Sequence, residues 1–523
     1  MLLAAGAPLS RAQQVTPAPS FELQELTVAQ LQDAMTTARY TSRRLVELYT
    51  ARIEAIDRNG PALRSVIELN PDALSIADAL DVERRAGRLR GPLHGIPVLI
   101  KDNIDTHDRM MTTAGSLALE GSIAERDSFV AERLRAAGAV ILGKTNLSEW
   151  ANFRSTNSTS GWSGRGGLVK NPYALDRNPC GSSSGTGAAI AANLAAIGVG
   201  SETDGSIVCP SGANGLVGLK PTVGLVSRAG IIPISRTQDT AGPMTRTVAD
   251  AAVLLGAMAG VDPRDKATSA TGRRSVADYT TALDADGLRG ARIGVARKKY
   301  FGYSTVTDAL IDTAIADMKQ QGAVIVDPAD LPAGAMLDGC ENVILLHEFK
   351  ADLNTYLAGR NAAAPVHSLK ELIAFNLREK NREMPFFGQE LLLQADKKGP
   401  LTSPAYLKAL ATCRTRSRGA GIDAVMTRYR LDAIVAPTGS PAWTTDLVNG
   451  DHFLGASSTP AAVAGYPSIT VPAGFAHGLP VGISFIGRAW SEATLIKLAY
   501  AYEQRTRHRK PPQFLATAAL EGR

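Results

Sequence analysis

Two short apolar runs constrain the fold of this chain more than any other feature. Ile96-Pro97-Val98-Leu99-Ile100 is bounded by Gly95 and by the polar Lys101-Asp102-Asn103, and Ala139-Val140-Ile141-Leu142-Gly143 follows a helical stretch over 128–137. Continuous apolar runs of this length suit strands covered on both faces, and the strand-helix-strand order suits a parallel pair with a helical crossover. Further strands are expected at 291–295, 323–326, 433–436 and 468–471, with helical stretches between them. The pattern predicts an α/β fold with a large mixed sheet covered by helices.

With 523 residues, 45% hydrophobic and 20% charged, the chain can bury a large core and is not a disordered polypeptide. Length alone would allow roughly two to four domains. A net charge of +6 is thin for a chain of this size. Its densest basic cluster, Arg505, Arg507, His508, Arg509 and Lys510, reads as a solvated C-terminal face, so no nucleic-acid partner is expected. No apolar run approaches the ~18 residues of a membrane-spanning helix. The apolar tract Leu2 to Leu9, followed by Ser10-Arg11-Ala12-Gln13, has two readings. As the remnant of a signal peptide over residues 1–12 it implies export to the periplasm; as a frayed terminus it leaves the protein cytoplasmic. The four cysteines, Cys180, Cys209, Cys340 and Cys413, form no Cys-x-x-Cys pair and are expected to be buried free thiols. The alternative, a Cys180–Cys209 disulfide, would need an oxidising compartment.

Apolar residues recur at helical spacing over 26–56, and Asn70-Pro71-Asp72 offers an N-cap and a proline at the first helical position for a helix ending near Gly87. Residues 260–288 are polar, lack periodicity and are expected to cross the surface, whereas 335–425 read as largely helical. Within the latter, Met384-Pro385-Phe386-Phe387 is either packing or part of a substrate-facing lid.

The chemistry lies in 180–206, which runs from Cys180-Gly-Ser-Ser-Ser-Gly-Thr-Gly to Ser201-Glu-Thr-Asp-Gly-Ser206. Gly181-Ser182-Ser183-Ser184-Gly185 fits the Gly-x-Ser-x-Gly nucleophile elbow in form, but the preceding Asp176-Arg177-Asn178-Pro179-Cys180 cannot be the apolar strand an elbow needs. His347, His367, His452, His477 and His508 stand in no distinctive setting and read as structural or solvated. No lysine has a serine three residues before it, which removes a Ser-x-x-Lys enzyme, and no His-Glu-x-x-His or clustered ligand set supports a metallohydrolase.

Ser182-Ser183, Ser206 within Thr203-Asp204-Gly205-Ser206, and Lys101 at the end of its apolar run together resemble the amidase signature family. Gly218-Leu219-Lys220-Pro221-Thr222, Gln238 through Met244, 433–438 and 465–487 extend the resemblance over roughly residues 25–510. It implies one large α/β/α domain, over 21–515, with an N-terminal segment 1–20 and a C-terminal tail 516–523. It also implies an amide hydrolase with a Ser-cisSer-Lys triad: Ser206 as nucleophile, Ser182 as bridging serine in a cis peptide, and Lys101 as base. Backbone N–H groups of Thr203, Asp204, Gly205 and Ser206 would form the oxyanion hole, and Ser183 would support the site. No metal or organic cofactor is implied, and the expected partner is a small-molecule or peptide amide, acted on by a monomer or homodimer.

The residues themselves suit those roles. A serine hydroxyl needs a neighbouring base, and lysine serves as one only when neutral. Burial beside Val98-Leu99-Ile100 would disfavour the ammonium, and Gly205 would let the backbone approach an oxyanion closely. Many family members carry two glycines before the nucleophile where this chain has Asp204-Gly205. With Pro179-Cys180, Cys209-Pro210, 147–154 and 348–354, that departure looks most like the bacterial peptide amidases, which remove the C-terminal amide of peptides with release of ammonia. Aryl-amide, carbamate and ester hydrolysis is the alternative within the family, and the glutaminase component of an amidotransferase is a third reading.

Overall fold

The computed structural model describes residues 20–276, 278–332 and 337–519. The signal-peptide expectation for residues 1–12 lies outside the described residues. The strands are β1 (Val66–Leu69), β2 (Pro97–Lys101), β3 (Val140–Thr145), β4 (Trp162–Ser163), β5 (Gly167–Leu168), β6 (Ile197–Glu202), β7 (Val217–Lys220), β8 (Thr240–Thr245), β9 (Arg292–Val295), β10 (Val324–Val326), β11 (Ala433–Pro437), β12 (Ser468–Ala476) and β13 (Leu479–Ile486). Among the described residues, eleven of them form one sheet in the order β1-β3-β2-β6-β8-β7-β12-β13-β11-β9-β10, and β4 pairs with β5. β3, β2 and β6 run parallel, as do β11, β9 and β10, and the antiparallel strands β8, β7, β12 and β13 lie between these two groups. The predicted mixed sheet is therefore present, covered by helices.

Every residue of β2, β3 and β6 is buried. Full burial on both faces explains why β2 and β3 read as unbroken apolar runs. β6 does not, because two of its positions are glycine. A Cβ at Gly198 would come within 2.7 Å of the Ile190 and Thr186 side chains on helix Ser184–Ala191, and one at Gly200 within 2.6 Å of Met244 Sδ. Those glycines bring the helix and the strand after the serine-rich turn into close contact.

Three local expectations need correction. The helical pattern over 26–56 is two helices, Val28–Thr36 and Ser42–Arg52, followed by a wider turn over Ile53–Arg58. Thr27 and Thr41 each cap a helix through the side chain, and Ala38 takes a left-handed φ of 56° between the helices. The helix expected from Asn70-Pro71 begins at Ala73, because Asn70 Oδ1 accepts from Asp72 N at 2.9 Å and makes a turn before the helix. The cysteines are not free thiols. Cys180 is bonded to Cys209 and Cys340 to Cys413, with Cα separations of 6.0 and 5.8 Å. The second bond joins helix Leu337–Ala358 to helix Pro404–Ser417. Tertiary packing brings partners together that sequence spacing keeps apart. Among the described residues no helix is long and apolar enough to cross a membrane.

Candidate active site

β2 and β6 lie side by side with Val98 opposite Ile197 and Ile100 opposite Val199, so their carboxyl ends emerge at the same edge of the sheet. That edge is where open α/β sheets place their ligand sites. Lys101 is the last residue of β2 and is fully buried. Its Nζ stands 2.7 Å from Ser182 Oγ, 3.0 Å from Ser201 Oγ and 3.2 Å from the Ser201 carbonyl oxygen. An ammonium would donate to all three atoms. A neutral amine donates to the two Ser201 oxygens and leaves its lone pair to accept from the Ser182 hydroxyl.

The surroundings favour the neutral form. Burial pushes the Lys101 pKa down from 10.5 to about 7, against the attraction of the nearby Asp239 and Glu202 carboxylates. Neither carboxylate contacts Nζ, because each is engaged elsewhere. Glu202 Oε2 accepts from Ile207 N at 2.7 Å and Val208 N at 3.0 Å, capping helix Val208–Ala213. Asp239 accepts from Thr203 Oγ1 at 2.6 Å and from the backbone N–H groups of Ile234 and Ser235 at 2.9 and 2.8 Å. Burial raises the Asp239 carboxyl to about 6. Asn103 Nδ2 donates to Ser201 Oγ at 2.9 Å and so fixes the hydroxyl that Lys101 contacts.

A cis peptide joins Gly181 to Ser182. Ser183 Oγ donates to the Ser201 carbonyl at 3.1 Å, and Ser183 N donates to the Ser206 carbonyl at 3.2 Å. The serine-rich turn is thereby tied both to β6 and to the turn that follows it. The Cys180–Cys209 disulfide ties the same turn to the helix after Ser206. Ser182, Thr203, Asp204, Gly205 and Ser206 line one cavity of about 640 Å3, with Lys101 beneath it. Gly205 has φ +79°, a conformation that glycine adopts without penalty. The Asp204 carboxylate accepts from Thr459 Oγ1 at 2.7 Å through Oδ2. Among the described residues, no histidine lines this cavity.

All seven residues singled out from the sequence therefore gather at one end of the sheet. Ser201, Asn103, Asp239 and Thr459 were not singled out. Ser201, Asn103 and Asp239 lie within the quoted motifs, but nothing in sequence marks a serine in a strand as the partner of a distant lysine. The cavity walls include Phe153, packed on Phe349 at 5.0 Å between ring centroids, and Trp443, packed edge-on against Phe453 at 5.7 Å. The Met384-Pro385-Phe386-Phe387 patch does not line this cavity. Phe387 packs against Trp162 at 5.1 Å, and the buried Arg154 guanidinium lies 4.3 Å from its ring.

Residues 44–496 match the model of the amidase family. The chain is 43% identical to a probable amidase of Arabidopsis thaliana, over 97% of this chain and 94% of that protein. It is 36% identical to a glutamyl-tRNA(Gln) amidotransferase component from Chloroflexus aurantiacus, over 94% and 99% of the two chains. In three dimensions it superposes on the native peptide amidase of Stenotrophomonas maltophilia with a TM-score of 0.91 and 54% identity, covering 95% of this chain and all of that one. The family model and these whole-length similarities show that the chain belongs to the amidase signature family and is an amide hydrolase.

Proposed function

We propose that the protein removes the C-terminal amide of peptides by acyl transfer to Ser206, with Ser182 and Lys101 as the proton relay. The observation that carries this reading is the 2.7 Å contact between a fully buried Lys101 and Ser182, directly under the cavity that Ser206 lines. Ser206 Oγ attacks the amide carbonyl and its proton passes to Ser182 Oγ, as the Ser182 proton moves to Lys101 Nζ. The oxyanion is held by N–H groups of the Thr203–Ser206 turn; one such donor is typically worth about 3 kcal/mol of barrier. The C–N bond then breaks as Lys101 returns its proton through Ser182 to the leaving nitrogen, which departs as ammonia. Water, deprotonated through the same relay, hydrolyses the ester on Ser206. Residues 21–515 form the catalytic domain in this reading.

The peptide-amide substrate is supported by the whole-chain likeness to the Stenotrophomonas peptide amidase and to a peptide amidase bound to the competitive inhibitor chymostatin. The cavity's aromatic walls, beside hydroxyl-bearing Ser155, Ser158 and Thr459, suit a substrate with both side chains and peptide groups. A panel of a C-terminally amidated dipeptide, glutamine, an anilide and a urethane, each run beside Ser206→Ala, tests the reading. Ammonia release is expected from the peptide amide in preference to glutamine, with anilide and urethane turnover lower and the variant inactive on all four. Preference for the anilide or urethane would replace the peptide substrate by an aryl amide or carbamate, and preference for glutamine would point to a glutaminase.

A further inference from the structure

A second cavity of about 770 Å3 adjoins the catalytic one, and Trp443, Asp451 and Leu454 line both. This shared wall belongs to the segment 438–458 between β11 and helix Thr459–Ala464. Asp451 anchors it by accepting from Ser160 N at 3.0 Å, Asn178 Nδ2 at 3.2 Å and Trp443 Nε1 at 3.1 Å. Its crest is apolar and open, with Phe453 49% and Leu454 45% exposed. The far side of the second cavity is built by Val306 at the start of helix Thr305–Gln320, by the β12–β13 turn and by Ala518.

We propose that the second cavity is the distal part of the peptide-binding site and receives the residues of a peptide amide that lie N-terminal to those seated above Ser206. The inference rests on the peptide-amide reading given above. Dimensions argue for it: a cavity of about 640 Å3 is on the order of 9 Å across, a span that an extended chain covers in about three residues. A longer peptide must leave the catalytic cavity, and crossing Leu454 leads it into the adjoining one. Thr444 and Asn449 there offer a hydroxyl and an amide to peptide groups, while Val306 and Ala518 offer apolar contact.

The test uses the full chain and N-acetylated peptide amides of two, four and six residues that share the same C-terminal dipeptide. Thr444→Trp and Val306→Trp each place an indole in the second cavity from an exposed position, and circular dichroism checks their folding. For the wild type, kcat/KM is expected to rise about tenfold from two to six residues, mostly through KM, as distal binding adds affinity without touching the reacting atoms. In folded tryptophan variants the six-to-two ratio is expected to fall toward one. A wild-type ratio near one with the dipeptide amide turned over, or a raised ratio that both variants retain, would overturn the distal site. Turnover of none of the three peptides would overturn the peptide-amide reading and the distal site with it.

Discussion

Replacing Lys101 by alanine is expected to lower kcat for a peptide amide by about 10⁴-fold or more, the scale on which removal of a serine hydrolase's base acts. Among the described residues, Lys101 is the titratable side chain in hydrogen-bond contact with Ser182, and no histidine lines the cavity to take its place. Lys101→Met, which keeps most of the side-chain volume without the amine, should fall as far. The fold should survive both changes, because β2, β3 and β6 are held together by the buried apolar residues Val98, Leu99, Ile100, Val140, Ile141, Leu142, Ile197 and Val199, none of which is altered. Circular dichroism and thermal unfolding separate loss of chemistry from loss of structure. A variant that folds and retains near-normal turnover would remove Lys101 from the mechanism.

Lowering the pH should produce a loss of similar origin in the intact protein. The proposed relay needs Lys101 as the free amine, and burial lowers its pKa to about 7. The free-amine fraction falls about tenfold for each unit well below that value, so kcat/KM is expected to fall about tenfold per pH unit below 7 and to level off on the alkaline side. The direction follows from burial, which disfavours the ammonium; an exposed lysine near 10.5 would leave almost no free amine at neutral pH. A pH series on one peptide amide, with stability checked at each point, reads the profile directly. A rate that stays flat to pH 5 in a folded enzyme would exclude a lysine base.

The sequence disclosed parts of the molecule where one physical requirement dominates. β2 and β3 are buried on both faces, which leaves uninterrupted apolar runs and so identifies both strands, and with β2 the position of Lys101 at its carboxyl end. β6 and β8 escaped because close packing outranks strand propensity there: Gly198 and Gly200 admit a helix and a methionine, and β8 carries Gly242 and Pro243. In the site, residues 180–206 and Lys101 were legible through family resemblance, since nothing in local sequence joins a lysine at 101 to a serine at 182. Supporting groups such as Ser201 and Asp239 act through distances between β6, β8 and the following turns, and those distances exist only after the sheet has formed. The disulfides were misjudged for the same reason. Cys340 and Cys413 meet because two long helices pack side by side, and their separation in the chain carries no sign of it.

The most direct test of the account is to locate the nucleophile chemically. The wild type, Ser206→Ala and Lys101→Ala would each be incubated with a small sulfonyl fluoride at pH 8 and analysed by intact mass and peptide mapping. One adduct per chain is expected on Ser206 in the wild type, formed in step with loss of amidase activity. No adduct is expected in Ser206→Ala, and labelling slowed by orders of magnitude is expected in Lys101→Ala, where the proposed relay lacks its base. An inactivating adduct on Ser182, Ser183 or a residue outside 180–206 would contradict it.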